Sequence, residues 1–335
     1  MLRLYKPITH DIFKLQAMLK HLVCSVWCEA SVTPCESKLS ADFKPLYLTY
    51  GWLKLKVDEI YSLCIPLTTD EKKAIKEAFE KNNKIEELCN GTLKPIYLNK
   101  LPRLVEDKMK PLLVDFYEDL LEKAKVPGTK KNYYEKLVEE NEFKDCPCCG
   151  LTYFELKDSD NREAFDHYLP KAHYPFASIN FQNLVPLCYK CNSDRKKAKD
   201  PIEKGKKAFY PFSTANHLIQ INITIDKTKD LRSLLRKDLK VEFVGDTDKI
   251  KTWDRLFAIN ERYNDTSRDM LKSMLRKIKR RHIDYKGIDN AWTYNHSLDK
   301  LIADYEFDKY DDKKFLKIPM MRELKRCSDL IEVYA

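Results

Sequence analysis

The chain has 335 residues, a length for two or three domains, and 43% of them are hydrophobic, enough for a core without disulfide support. With 34% charged residues and no apolar run near the roughly 20 that span a bilayer, the sequence excludes a disordered polyampholyte and a membrane protein. The net charge of +9 is local: residues 190–207 carry a net +5 and residues 271–286 a net +6, which fits either a nucleic-acid footprint or two solvated helix faces.

The first 16 residues, MLRLYKPITHDIFKLQ, lack the apolar stretch of a signal peptide, so a reducing, cytoplasmic location is expected. Glycine is scarce, with 7 residues, while Lys plus Arg reach 61, which favours helices. Residues 1–141 read as a helical N-terminal region, expected to dock a partner. Thr69 and Asp70 are expected to cap a helix over 71–83, and Asn90-Gly91 to end the next short piece. Pro111 suits the first turn of a helix over 112–125, with Leu113, Tyr117, Leu120 and Ala124 on one face. Pro127-Gly128 stops it, and Thr129 is placed to cap 130–141. Residues 23–53 show no clean period; Cys24 and Cys28, four apart, read as ordinary buried thiols.

Residues 142–212 change character and hold four paired cysteines, His167 and His173. Beyond them, 213–335 reads as an α+β region. Two alternating runs, 218–225 and 239–245, predict half-buried strands. Helices are expected over 248–264 and 267–281, followed by a charged tail from Leu298. The expected fold class is therefore α+β and helix-rich, with a small central module between helical and α+β flanks.

Of 11 cysteines, seven are scattered (Cys24, Cys28, Cys35, Cys64, Cys89, Cys148, Cys327) and four form two Cys-x2-Cys pairs, Cys146/Cys149 and Cys188/Cys191, 38 residues apart. Such pairs in a reducing compartment indicate metal rather than disulfides. Two tight turns that each present two thiolates complete the all-sulfur tetrahedral shell of structural Zn2+. Gly150 follows the first pair, where a knuckle turn favours positive φ. Cys148 competes for a ligand place; the x2 spacing favours Cys146 and Cys149.

Between and beside these turns stand Asp166-His167, Asn183 before LVPLC, and Asn192 immediately after the last paired cysteine, followed by Arg195, Lys196 and Lys197. A plain zinc knuckle needs none of the four polar residues. The stretch 146–197 resembles an HNH endonuclease, a ββα-metal module in its zinc-stapled form, covering about a sixth of the chain. DHYLPKAHYP and NLVPLCYKCN, with WDRLFAINERYN further on, also resemble the HNH subunits of Septu and retron-Septu anti-phage systems.

The resemblance implies that His167 is the general base, that Asp166 and Asn192 hold one catalytic Mg2+ or Mn2+, and that Asn183 orients the loop bearing the histidine. It implies DNA as substrate, an ATPase subunit as partner, and in retron systems a reverse transcriptase with its DNA and RNA. The family's phosphate-binding lysine falls three residues after Asn192, where this chain has Arg195 with Lys196 next, so the phosphate contact lies among Arg195, Lys196 and Lys197. The residue types suit the chemistry. An unperturbed imidazole titrates near pH 6.5, as a base for water requires, and Asp and Asn offer hard oxygen donors.

Other residues carry two readings. Lys171 contacts phosphate or is solvated, and His173 touches substrate or sits in a loop. Tyr189, Phe209, Tyr210 and Phe212 stack on bases or pack the module. The run 275–281 meets DNA, meets a partner or is a surface helix. Two rival functions stand beside the effector nuclease: a catalytically silent zinc-stapled DNA-binding or scaffold subunit, and a stand-alone restriction-type HNH nuclease.

Overall fold

The computed structural model describes residues 1–155, 159, 162–231 and 233–326; Cys327 lies outside them. The fold is helix-rich α+β, with helices α1 (Lys14–His21), α2 (Cys35–Lys38), α3 (Lys44–Thr49), α4 (Gly51–Cys64), α5 (Thr69–Asn82), α6 (Ile85–Asn90), α7 (Lys110–Glu118) and α8 (Lys130–Asn141). Two short strands follow, β1 (Phe165–His167) and β2 (Leu184–Pro186), then β3 (Gln220–Ile225) and β4 (Leu239–Val244). Helices α9 (Thr247–Phe257), α10 (Ile259–Lys286), α11 (Tyr294–Glu306) and α12 (Lys314–Lys325) complete the order. Among the described residues no helix is long and apolar enough to cross a membrane.

The chain divides into two compact units. One holds Met1, residues 3–143 and the described residues of 154–215; the other holds Leu2, residues 144–153 and the described residues from 216 on. The stretch 142–212, set apart by its composition, thus does not fall into one unit.

In the first unit, the cap of α5 falls one residue before the expected Thr69. Thr68 is the N-cap, because Glu71 three residues on completes a capping box: Thr68 Oγ1 accepts from Glu71 N at 3.2 Å and Glu71 Oε2 from Thr68 N at 2.9 Å. Ile75, Ala78, Phe79 and Asn82 form its buried face at helical spacing. Helix α6 ends at Gly91 in the left-handed conformation, and α8 is capped by Thr129, both as expected.

Pro111 lies in the first turn of α7, as expected, but α7 does not start a new helical run there. The chain is already helical before it, in a π-type turn over Val105–Met109. A proline ring crowds the carbonyl four residues back and offers no N–H, and the widened turn accommodates both. The helix then stops at Glu118, and Leu120–Glu122 is a separate 3-10 turn. Leu113 and Leu120 are buried, but Ala124 is exposed, since no continuous helix carries it to that face.

Residues 23–53 also lacked a clean period for a structural reason. Leu22–Trp27 form another π-type turn, and α2 and α3 are only four and six residues long. Cys28, Cys35 and Cys64 are buried, and burial pushes their thiols up to about 12.

In the second unit, β3 and β4 pair antiparallel from Gln220↔Val244 to Ile225↔Leu239. Ile221, Ile223, Ile225, Leu239 and Val241 are buried, so the alternation read from the sequence is the core face. The helix break falls earlier than expected, at Ala258 (φ 50°, ψ 48°) rather than after Asn264, and α10 runs unbroken for 28 residues. An alanine there costs roughly 1–2 kcal/mol. The break is held by Asp254 Oδ1 accepting from Asn260 N at 2.7 Å and by Asn260 Nδ2 donating to Val241 O at 2.8 Å. Along α10, Arg276, Lys277, Lys279 and Arg280 are exposed; Arg280 pairs with Asp284, and Arg281 with Asp304.

Candidate functional site

The first cysteine turn is a knuckle. Cys146 N donates to Thr152 O at 2.8 Å and Gly150 N to Cys146 O at 2.7 Å, and Asp145 bridges Tyr153. Gly150 has φ +64°, and a Cβ there would come within 2.5 Å of Leu2 Cδ2 and 2.7 Å of Phe315 Cε1. Gly150→Ala therefore combines left-handed strain with overpacking, and is expected to destabilise by about 2–5 kcal/mol. A thermal melt checks this; an unchanged midpoint would contradict it.

In the second turn, Cys191 N and Asn192 N both donate to Cys188 O, at 2.9 and 3.0 Å. The sulfurs of Cys146, Cys149, Cys188 and Cys191 all lie within 4.8 Å of one another, and all four residues are buried. A tetrahedral ion with bonds near 2.3 Å spaces its sulfurs by about 3.8 Å, so the four residues fit a metal centre of this kind. Cys148, also buried, is not in the cluster.

Strands β1 and β2 form an antiparallel pair with Phe165↔Pro186, Asp166↔Val185 and His167↔Leu184. His167 stands at the strand's end, with Nε2 2.9 Å from Ser178 O. A carbonyl only accepts, so this contact assigns the proton to Nε2 and the lone pair to Nδ1. The Tyr117 ring meets the imidazole edge-on at 4.5 Å between centroids. Burial, and next the charge of Lys171, press the imidazole down from 6.5 to about 3, below the near-neutral titration expected of the base.

Asn183 is wholly buried and clamps the chain just past His167. Its Oδ1 accepts from Leu169 N at 2.7 Å, and its Nδ2 donates to Leu169 O at 2.9 Å and Ala177 O at 3.2 Å. Its own carbonyl accepts from Tyr168 N at 2.9 Å.

Asp166 is 3% exposed and meets an ammonium. Lys196, with no exposed surface, donates to Asp166 Oδ1 at 3.0 Å and to His167 O at 2.8 Å. Lys196 Nζ also stands 3.0 Å from Asp166 Oδ2, yet that oxygen has no hydrogen-bond partner. Burial raises the Asp166 carboxyl above its ordinary range, and Lys196 opposes the rise.

Lys196 thus differs from its expected place among the phosphate contacts: its charge is spent inside the protein. Lys197 is exposed, while Arg195 and Asn192 are half-buried. Asn192 Nδ2 reaches Ala164 O at 3.4 Å, which places it at the entry to β1. Lys171 is not simply solvated, since it pairs with Glu118 at 2.7 Å and lies 5.5 Å over the Tyr117 ring. His173 is exposed. Of the four aromatics, Phe209, Tyr210 and Phe212 are buried and pack, and Tyr189 alone is open, at 71%.

Two contributors gave no signal in the sequence. Ser178 acts through its main-chain carbonyl, which every residue has. Tyr117 is one aromatic among many in a helix. Its neighbour Lys130, nearly buried, donates to Tyr117 O at 3.1 Å and pairs with Glu122.

No protein-family model matches the chain, and no solved structure matches it. Over 109 residues it is 31% identical to Protein ea31 of Escherichia phage lambda. That match spans about a third of each protein, 32% of this chain and 33% of the phage protein.

Proposed function

We propose that the chain is a metal-dependent HNH-type endonuclease that hydrolyses DNA phosphodiester bonds. The observation that carries this reading is the hairpin end itself. A neutral imidazole has its Nε2 proton tied to Ser178 O, and Asn183 clamps the loop that follows it.

In this reading His167 Nδ1 takes the proton of the attacking water, and Ser178 O keeps the ring in that tautomer. Asp166 and Asn192 would hold one Mg2+ or Mn2+, which would supply charge neutralisation at the phosphate and the leaving oxygen. Asp166 Oδ2, which makes no hydrogen bond although Lys196 Nζ stands 3.0 Å away, is the feature that fits such an ion. Arg195, Lys197 and Lys171 face the phosphates; such contacts carry no sequence information, so cleavage is weakly specific. Zn2+ on the four cysteines is structural, because an all-thiolate shell leaves no open position.

The likeness to Septu and retron-Septu subunits supports a defence effector under an ATPase partner, with a retron reverse transcriptase as a further candidate. A second reading, the silent DNA-binding or scaffold subunit, is favoured by one observation: the Asp166 carboxylate is already held by Lys196. A stand-alone restriction-type nuclease would instead cut a defined sequence.

Plasmid cleavage with Mg2+ or Mn2+ tests the reading, wild type beside His167→Ala, with zinc measured in both. Cutting by the wild type alone, at equal zinc, is the expected result. If neither cuts, the assay is repeated with the ATPase and ATP. Continued silence while DNA is still bound would leave the scaffold reading.

A further inference from the structure

Lysine is almost never fully buried unless paired, and Lys196 is sealed against a carboxylate that is itself buried. The ammonium serves two acceptors of the hairpin at once, the Asp166 side chain and the His167 main chain. The pairing is incomplete from the carboxylate's side. Asp166 Oδ2 makes no hydrogen bond, so it is held only by the charge of the ammonium 3.0 Å away.

A second observation concerns the segment that delivers the lysine. Lys190–Lys196 is a π-type turn, a geometry that recurs at functional sites, and it ends at Lys197 with φ 53° and ψ −131°. That combination lies outside the ordinary left-handed well and is strained for any residue but glycine. The turn is thus held in a costly conformation while its last side chain plugs the carboxylate.

We propose that Lys196 is a resident internal cation that competes with a divalent ion for the Asp166 carboxylate, and that loading the ion withdraws Lys196 as the strained turn at Lys197 relaxes. This rests on the reading of Asp166 as an ion ligand. It makes Lys196 a positioning residue, one that acts through Asp166 and His167 rather than on a phosphate. It also makes the resting site self-neutralised, so ion affinity is set by how easily the turn releases its lysine.

Mn2+ titration of the zinc-loaded full-length protein, followed by electron paramagnetic resonance of free Mn2+, tests it. Lys196→Met is expected to bind Mn2+ at least ~10-fold more tightly than wild type, since a like charge about 4 Å away is removed. Lys196→Arg, which keeps the charge, is expected to stay within ~3-fold of wild type. Asp166→Asn is expected to abolish the site in every background. Equal or weaker Mn2+ binding by Lys196→Met, with the Asp166→Asn loss intact, overturns the competition and leaves Asp166 as a ligand. Mn2+ binding indifferent to Asp166→Asn overturns the ligand reading itself, and with it the competition.

Should Lys196→Met fail to fold, the wild type still decides the question. Amine acetylation read by mass spectrometry is expected to spare Lys196 without Mn2+ and to label it with Mn2+. Equal protection in both conditions overturns the proposal.

Discussion

Cys188→Ser is expected to take the bound metal from one equivalent to none and to abolish cooperative thermal unfolding. A serine hydroxyl is not ionised near neutral pH and replaces a thiolate poorly, so one substitution opens the whole shell. For a site whose ligands are brought together by folding, metal affinity is folding energy. In small zinc peptides that amounts to about 10–16 kcal/mol, comparable to the total stability of a domain. All four sulfurs here are buried within 4.8 Å of one another, so without an ion they offer only weak thiol contacts. Cys148→Ser is the matched control. Cys148 is equally buried but outside the cluster, and its serine should keep one equivalent of metal at a modest stability cost. Chelator-release colorimetry and a melt read both variants. A Cys188→Ser protein that retains its metal and wild-type melting would remove the centre from the account.

Asn183→Ala is expected to lower stability by about 2–6 kcal/mol with metal content unchanged and, under the proposed nuclease function, to lower DNA cleavage by at least ~100-fold. The side chain makes three hydrogen bonds in a site closed to water; its loss strands Leu169 N–H and Leu169 O, while Ala177 O keeps its bond from Asn180 N. Each stranded group costs about 1–3 kcal/mol. In the proposed function the effect on cleavage follows from position: the clamped residues Leu169 and Ala177 flank the loop between His167 and its partner Ser178, and displacement of the proposed base by about 1 Å would be costly. Asn183→Asp should be as damaging, because it turns a carboxylate oxygen toward the carbonyls of Leu169 and Ala177. Urea titration and single-turnover cleavage, measured together, check this. Near-wild-type cleavage by a folded Asn183→Ala protein would show that the clamp does not serve His167.

What could be read along the chain was whatever depends on near neighbours. Thr129 caps α8 and Gly91 closes α6 because a cap needs only residues a few positions away. The two alternating runs became the β3–β4 pair because alternation reports which face is buried. The Cys-x2-Cys spacing likewise encodes a tight turn that presents two thiolates. The misreadings came where a local rule met a distant partner. Pro111 does stand in the first turn of α7, but the helix expected to reach 125 stops at Glu118. Ala258 breaks the helix because Asp254, Asn260 and the β4 carbonyl of Val241 hold it, a network spread over some 20 residues.

The sequence by itself therefore determined the helix-rich α+β class, the four cysteines that cluster and the Asp166-His167 pair. Each is a matter of residue type at short spacing. Only the tertiary structure decided what surrounds that pair. In a list of basic residues Lys196 is the equal of Arg195 and Lys197. Folding buries it beside a carboxylate 30 positions away and leaves Lys197 in water. A charge reveals its role only through what it faces once solvent is excluded, since burial is what makes an unpaired ion costly and a paired one specific.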